Sequence, residues 1–555
     1  MTGNVPADSP RRQRFRPGPD VRAALVAGFL SFAAFPPIGL APLLFCAWAP
    51  LLKRVLVTGD ALSWRRVGFL GWLAAAVFYA GLLHWLLLLA NDEVTIPGIM
   101  LPALLVLAGY LALFPALALL ATRGIARASG LSPLLLFPFL WTATDWLRAL
   151  GETAFPWGSW GYAFAPWTPA IQMTAWTGYW GLVFWVAAAN ALLVWALGGL
   201  RPRRWMAEAS RVRAAVLLLW VGAPWIFGAA LLRGVRAESV VDGVDDRFQI
   251  TLIQANTPRE IKWKAGYRGQ VVEDLLERTR RAAAENSPDL IVWPETAAPI
   301  RIPWEPELAR RLSSTVDSLD VWVLVGTLDA VVDPDRSVHD YNAALLLGPD
   351  GAVVQRYYKS HLVPFGEVTP FKRAVPLLAK LDFGQSEFDR GREGVIFEGP
   401  AGLRFACLIC FESIFPELAR DGVRSGATVL VNITNDFWFG RSSGPVQHAH
   451  MAILRAVENR TPVARCANSG LSFFVDAYGR VTQQTGLFEA AMPSARVQPG
   501  TGGSFATRHG ESVLAFALLG AAGAALFALT RSLSARFRRP SPHGKMRHRE
   551  GAQKQ

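Results

Sequence analysis

The chain has 555 residues, of which 52% are hydrophobic and 18% charged, with a mean hydropathy of +0.26. A soluble globular chain carries about 25% charged residues, so this composition excludes disorder for the bulk of the chain and argues against a purely soluble protein. The net charge of +13 fits either a nucleic-acid partner or the basic cytoplasmic loops of a membrane protein, and its distribution decides between them.

Residues 1–20 form a basic arm with Arg11, Arg12, Arg14 and Arg16. Arg11-Arg12 could mark a twin-arginine signal. A retained cytoplasmic arm fits better, because further apolar stretches follow at once and no small-residue cleavage site is visible. Apolar stretches then recur at 21–35, 40–52, 67–90, 99–121, 131–149, 170–200 and 214–232. About 20 apolar residues in a helix cross the hydrocarbon core. The first two stretches are short and separated by Pro36-Pro37, which leaves a re-entrant hairpin open. Counting them as two spans makes every second loop basic. Lys53, Arg54, Arg65 and Arg66 follow the second span, Arg123 and Arg127 the fourth, and Arg201, Arg203, Arg204, Arg211 and Arg213 the sixth. The loop 91–98 between them holds Asp92 and Glu93 and no base. Arg148, Arg233 and Arg236 are outnumbered exceptions. That alternation is the positive-inside pattern of a bundle with its N-terminus in the cytoplasm, so no nucleic-acid partner is expected. Seven spans at 21–235 place residues 236–510 outside. An eighth span at 511–531 and a basic tail at 532–555 return the chain to the cytoplasm. The tail is poor in apolar residues and is expected to be disordered.

The outer segment reads as α/β. Strands are predicted at 248–254, 289–293, 321–326, 343–347, 353–358, 403–409, 428–433, 463–466 and 472–476, and helices at 267–286, 306–319 and 446–460. Strands alternating with helices indicate packed layers. Turns at 348–351 and 476–479 each end in glycine, where positive φ costs little.

Three residues follow strands and could carry chemistry. Glu295 follows DLIVW, either as a catalytic acid at a strand end or as a helix N-terminal acid favoured by the dipole. Lys359 follows the 353–358 strand and opens a loop rich in Pro and Gly; a solvated lysine is the plain alternative. Glu367, eight residues on, could pair with it. Cys410 ends LRFACLIC. Cys407 lies three residues earlier, on the opposite strand face, and no second cysteine pair completes a zinc site. Cys407 and Cys466 therefore read as core, and Cys46 as a span residue. Four cysteines are too few for a disulfide scaffold. A thiolate nucleophile needs a base or cation nearby, and the nearest downstream histidines are His448 and His450.

WPET at 293–296, YYKSHLVPFGE at 357–367 and CLICFES at 407–413 together resemble the nitrilase superfamily. With eight spans, QANTPREIKW at 254–263, TNDFWFG at 434–440 and DWLRALGETAFPWGSWGYAFAPW at 145–167, the set resembles the apolipoprotein N-acyltransferases, a membrane-embedded branch of that superfamily. The resemblance covers nearly the whole chain apart from the two tails. It implies an αββα sandwich inserted in a polytopic helical bundle. It assigns the base to Glu295, the lysine to Lys359 and the nucleophile to Cys410, with Trp263, Glu367, Phe411, Glu412 and Trp438 in supporting or substrate-binding roles. Phe411 stands where many relatives carry Tyr. The resemblance further implies ping-pong transfer from a phospholipid such as phosphatidylethanolamine to an apolipoprotein amine, in the bacterial inner membrane with the catalytic domain on its outer face. No cofactor and no metal are implied. A membrane-anchored nitrilase-type amidohydrolase would use the same three residues with water as second nucleophile. A transporter would need buried intramembrane charges. The candidates are His84, at a span end, and Asp145, placed to pair with Arg148 three residues on.

Overall fold

The computed structural model describes residues 17–88, 98–198, 208–238, 247–301, 304–372, 387–392 and 394–537. Most of the basic arm, most of the acidic loop at 91–98, the basic loop at 201–204 and the tail from 538 onward lie outside them.

Four described helices are long and apolar enough to cross a membrane, at Met100–Ser129, Tyr179–Gly198, Ser210–Val235 and Ser512–Ser534. Only 6% of the apolar window of Ser210–Val235 is covered by protein. Backbone groups are satisfied within a helix, so such an apolar face suits lipid. The other predicted spans take shorter forms. Pro19–Ala33 and Pro133–Leu147 are 15-residue helices, and Trp64–Leu82 has 19 residues. The stretch at 40–52 is not one helix. It breaks into a 3-10 turn at Ala41–Phe45, a four-residue helix at Ala49–Leu52 and a π turn at Lys53–Val57. Pro42 and Pro50 sit at the starts of these pieces, where a missing N–H is tolerated. The stretch at 170–200 is also divided. Short helices at Thr168–Ile171 and Thr174–Thr177 end at Gly178, whose φ is +70°, before Tyr179–Gly198 begins.

Asp145 pairs with Arg148, as their spacing predicts, with Nη2 2.6 Å from Oδ1. The guanidinium also donates to the carbonyls of Phe155 and Trp157 at 2.7 and 2.8 Å, and Ser159 donates to Asp145 Oδ2. This buried pair fixes the loop 149–159 as a scaffold and satisfies both charges within the protein.

The α/β part contains two sheets. Strands β1 (Phe248–Leu252), β2 (Leu290–Val292), β3 (Ala298–Arg301), β4 (Trp322–Val332), β5 (Val338–Leu347) and β6 (Val353–Tyr358) build the first, closed by β13 (Ser494–Val497). Its order is β13-β1-β2-β4-β5-β6, with β3 beside β4. Strands β7 (Ile396–Glu398), β8 (Arg404–Ile409), β9 (Val429–Thr434), β10 (Val463–Ala467), β11 (Phe473–Val475) and β12 (Val481–Thr482) build the second, in the order β12-β11-β10-β9-β8-β7. The β1–β2, β2–β4, β8–β9 and β9–β10 pairs are parallel.

The period of two sorts the side chains. Leu290, Val292, Leu324 and Leu346 face Phe405, Cys407, Ile409, Val431 and Cys466 across a shared core. Ile291, Val323, Val325 and Leu345 point outward onto the helices Arg268–Asn286 and Pro306–Leu319. On the second sheet Ala406, Leu408 and Leu430 point outward. They pack with the helices Pro416–Arg424 and Gly444–Asn459, in one apolar cluster that runs on into the bundle. The layers are therefore αββα, and the second helical layer is shared with the membrane part. The glycine turns are as expected: Gly351 (φ +70°) closes the β5–β6 hairpin and Gly479 (φ +86°) the β11–β12 hairpin.

Candidate active site

Glu295 lies just past β2, in a backbone pressed against β4. A Cβ on Gly326 would stand 2.0 Å from the Pro294 carbonyl oxygen, so only glycine allows this approach. The carboxylate is buried. Oε1 accepts from Lys359 Nζ at 3.2 Å and from Asn342 Nδ2 at 2.7 Å, and Oε2 accepts from the Asn435 N–H at 2.8 Å. The next element is the strand β3, so Glu295 does not start a helix and the dipole-favoured reading does not hold.

Lys359 begins the loop after β6 and is 1% exposed. Its ammonium also donates to Glu367 Oε1 at 2.9 Å, and Asn342 Nδ2 reaches the same oxygen at 3.0 Å. Glu367 Oε2 accepts from the Val363 N–H, which folds the loop back on itself. Burial works against the ammonium, but Glu295 and Glu367 outweigh it and hold the Lys359 pKa well above the ordinary lysine value. The solvated reading does not hold for this lysine.

Cys410 follows β8 and opens the 3-10 turn Cys410–Ile414 with φ +52°. A non-glycine residue in the left-handed region is strained. Strand alternation therefore does not extend to it. Cys407 is buried between the sheets, as expected of a core residue, but what separates Cys410 from it is this turn. Burial and the Glu295 carboxylate push the Cys410 thiol up, with Lys359 opposing them and the Thr434 hydroxyl within bonding reach. Such a thiol is protonated at rest, so its reactivity depends on a partner that takes the proton.

Glu412 is fully buried and ties the two loops together. Oε1 accepts from the Ser360 and His361 N–H groups, the Ser360 hydroxyl and the Tyr357 hydroxyl, and Oε2 accepts from the Ile409 N–H at 2.7 Å. Phe411 is buried against Phe155 and Phe415 at centroid distances of 5.9 and 5.3 Å. The membrane-side loop held by Arg148 thus rests directly on the residue after Cys410.

Trp263 and Trp438 meet across one small cleft, lined also by Thr257, Lys262, Asn435 and Asn468. Trp263 is 40% exposed, which excludes a core role for it. Two residues here escaped sequence reasoning. Asn342, which bridges Glu295 and Glu367, was signalled only by an amide at the head of the apolar run AALLL. Lys262 is 1% exposed and donates to Thr296 Oγ1 at 2.9 Å. Burial lowers its pKa to about 7, with Glu295 opposing. Among the described residues, no group of three or more His, Cys, Asp or Glu side chains is placed to hold a metal ion.

The carbon-nitrogen hydrolase family matches residues 249–507, and the apolipoprotein N-acyltransferase N-terminal domain matches residues 27–192. A protein of Geobacter metallireducens named apolipoprotein N-acyltransferase is 38% identical over 531 residues, 95% of this chain and 97% of that relative. The chain belongs to the apolipoprotein N-acyltransferase family. A Brucella melitensis protein of the same name is 33% identical over 492 residues, covering 85% of this chain and 86% of its own. Among solved structures, Saccharomyces cerevisiae Nit3, a member of branch 10 of the nitrilase superfamily, covers 47% of this chain and 93% of its own at 20% identity, with a TM-score of 0.36. In this member of the family, the matched hydrolase segment carries both sheets and all three strand-end residues, while the N-terminal segment carries the loop 149–159 that rests on Phe411.

Proposed function

We propose that the chain moves an acyl group from a phospholipid to the N-terminal amine of an apolipoprotein, through a thioester on Cys410. The reading rests chiefly on one observation. Lys359 is clamped between two carboxylates beside the left-handed Cys410 turn, in a chain that matches apolipoprotein N-acyltransferases nearly end to end. Glu295 takes the thiol proton as Sγ attacks the acyl ester carbonyl. Lys359, with the Phe411 N–H, stabilises the oxyanion. Collapse breaks the ester C–O bond, and Glu295 returns the proton to the leaving lysophospholipid oxygen. The amine of the diacylglyceryl-cysteine then attacks the thioester. Glu295 takes a proton from the attacking nitrogen and returns it to the departing Cys410 sulfur. Glu367 and Asn342 hold Lys359 and Glu295 in register, and the Trp263–Trp438 cleft receives lipid. Phosphatidylethanolamine is the proposed donor.

The membrane arrangement belongs to the same reading: eight crossings in a bacterial inner membrane, both termini inside and residues 236–510 outside. Two lipid substrates explain why the second helical layer of the sandwich is fused to the bundle. The deciding experiment is intact-mass analysis of the purified protein after incubation with phosphatidylethanolamine vesicles. A single acyl increment that maps to Cys410 and is discharged by an apolipoprotein peptide is expected. No increment, or discharge by water at the same rate as by peptide, would overturn the reading.

A further inference from the structure

The carbonyl oxygen of Cys410 points into a buried polar cluster. It accepts from the Ser413 hydroxyl at 3.0 Å and lies 3.0 Å from His448 Nε2. The other ring nitrogen, Nδ1, lies 2.9 Å from Asp436 Oδ1. Asp436 also accepts from Thr434 Oγ1 at 2.9 Å and, on Oδ2, from Arg465 Nη2 at 2.7 Å. Asp436, His448 and Arg465 are each at most 1% exposed. Burial alone would raise the Asp436 carboxyl, but Arg465 and His448 outweigh it and hold it at about 2. Asp436 is therefore an ionised acceptor.

This geometry holds the ring at both nitrogens. A carbonyl oxygen only accepts, and an ionised carboxylate only accepts. Nδ1 faces the carboxylate, and Nε2 faces the Cys410 carbonyl and, at 3.1 Å, the Ser413 hydroxyl. The Arg465 Nη2 that lies 3.2 Å from Nδ1 shares the same carboxylate with it. One carboxylate thus sits between the Arg465 guanidinium and the His448 ring beneath the nucleophile. Water has little room to intervene. Trp157 and Phe439 pack on the ring at centroid distances of 5.6 and 6.0 Å. The Asp436 side chain fills the space where a Cβ on Gly470 would be.

We propose that His448 is a positioning residue for acyl transfer: a buried ring, anchored on Asp436 through Nδ1, whose Nε2 grips the Cys410 carbonyl and fixes the left-handed turn that aims the thiol. It rests on the acyl-transfer reading above. The neighbouring residue gives the grip a second anchor. Gln447 donates to the carbonyls of Pro36 and Leu82 at 3.1 and 3.2 Å and accepts from Trp157 Nε1 at 2.8 Å. The helix Gly444–Asn459 therefore holds the nucleophile turn with one residue and the membrane bundle with the next. The turn is referenced to the bundle, where both lipids arrive.

The test compares full-length His448→Gln and His448→Phe with wild type. It uses three readouts: melting temperature, single-turnover acylation of Cys410 from phosphatidylethanolamine vesicles, and alkylation of Cys410 by iodoacetamide. A hydrogen bond to a charged group, such as the one the ring makes with the Asp436 carboxylate, is worth about 1.5–3 kcal/mol. Acylation should therefore fall about 10-fold in Gln, which keeps one donor, and about 100-fold in Phe, which keeps none. The lipid concentration at half-maximal rate should stay unchanged, and alkylation should slow in the same order. His448→Phe that folds and acylates at the wild-type rate overturns the proposal. So does a loss confined to lipid affinity, or one no larger than the unfolded fraction. If Phe does not fold, Gln decides, and a folded Gln variant within two-fold of wild type in both rates overturns it. Failure of the wild type itself to acylate would instead reject the transfer reading, and the alkylation series would still test the grip.

Discussion

The two sides of the candidate site are built differently. Beneath Cys410, every charged group is buried and held on two sides: Glu412 by five donors, Asp436 by His448, Arg465 and Thr434, Lys359 by two carboxylates. At the mouth, Trp263, which lines the cleft, is 40% exposed. Chemistry needs groups fixed within a fraction of an ångström, whereas a lipid chain needs an apolar surface that can adapt. The floor should therefore respond to substitution in rate and stability together, and the mouth in rate alone.

The largest effect is expected at the nucleophile. Cys410→Ser should form no acyl-enzyme, read by intact mass. Cys407→Ser is the matched control. Its side chain lies in the inter-sheet core, where an unpaired hydroxyl costs about 1–3 kcal/mol, so it should lose thermal stability and keep most activity. An inactive, folded Cys407→Ser protein would break the distinction between the two cysteines.

Next come the partners of the thiol. Glu295→Gln keeps the shape but cannot take a proton, and loss of a general base costs about 10²–10⁴-fold in rate. Lys359→Ala removes an oxyanion donor, a loss of about 10²–10³-fold. It also strands two buried carboxylates, a penalty of about 3–5 kcal/mol. Melting curves should separate them, with Gln close to wild type and Ala far below. Near-wild-type acylation in a folded form of either variant would reject their roles.

Much of the floor was legible because its residues end strands. DLIVW, the run before Lys359 and LRFACLIC are apolar β-rich segments, each followed by a polar residue that an α/β fold exposes at the sheet's end. What sequence missed was pairing at a distance. Asn342, Asp436, His448 and Arg465 acquire their roles only when β5, β9, β10 and the helix Gly444–Asn459 come together. Beside the amide at the head of AALLL, Arg465 inside the apolar strand VARCA was a second local clue, since a buried charge needs a partner. The short strands β3, β7, β12 and β13 carry too few residues to show a period of two. In the bundle, hydropathy located the apolar stretches but not their breaks at Pro42, Pro50 and Gly178, because apolar composition is blind to backbone conformation.

The mouth should behave in the opposite way. Trp263→Ala and Trp438→Ala should lower acyl transfer by about 10-fold, the effect of about 1.4 kcal/mol of lost apolar contact, with little change in melting temperature. A buried Trp→Ala would instead cost about 3–5 kcal/mol. Variants that unfold readily and lose activity only with the folded fraction would move these residues to the floor class.

The smallest effect on rate concerns Lys262, which sits where the two sides meet, next to Trp263 and bonded to Thr296 beside Glu295. Burial lowers its folded-state pKa from 10.5 to about 7. Between those two values the unfolded chain binds more protons at this site than the folded chain does. Stability therefore rises with pH across that window. Below about pH 7 both states carry the charge, and the folded state bears the full cost of burying it. Above pH 10.5 neither does, and the cost is gone. Lys262→Met removes the titration and also one hydrogen bond, a loss that does not depend on pH. The melting temperature of the variant relative to wild type should therefore be higher at pH 6.5 than at pH 9.5. With these two pKa values the change is about 3 kcal/mol between the two pH values, or about 6–12 °C at about 2–4 °C per kcal/mol. A difference constant across that range would show that the Lys262 charge is solvated, and would place this residue with the adaptable mouth instead of the fixed floor.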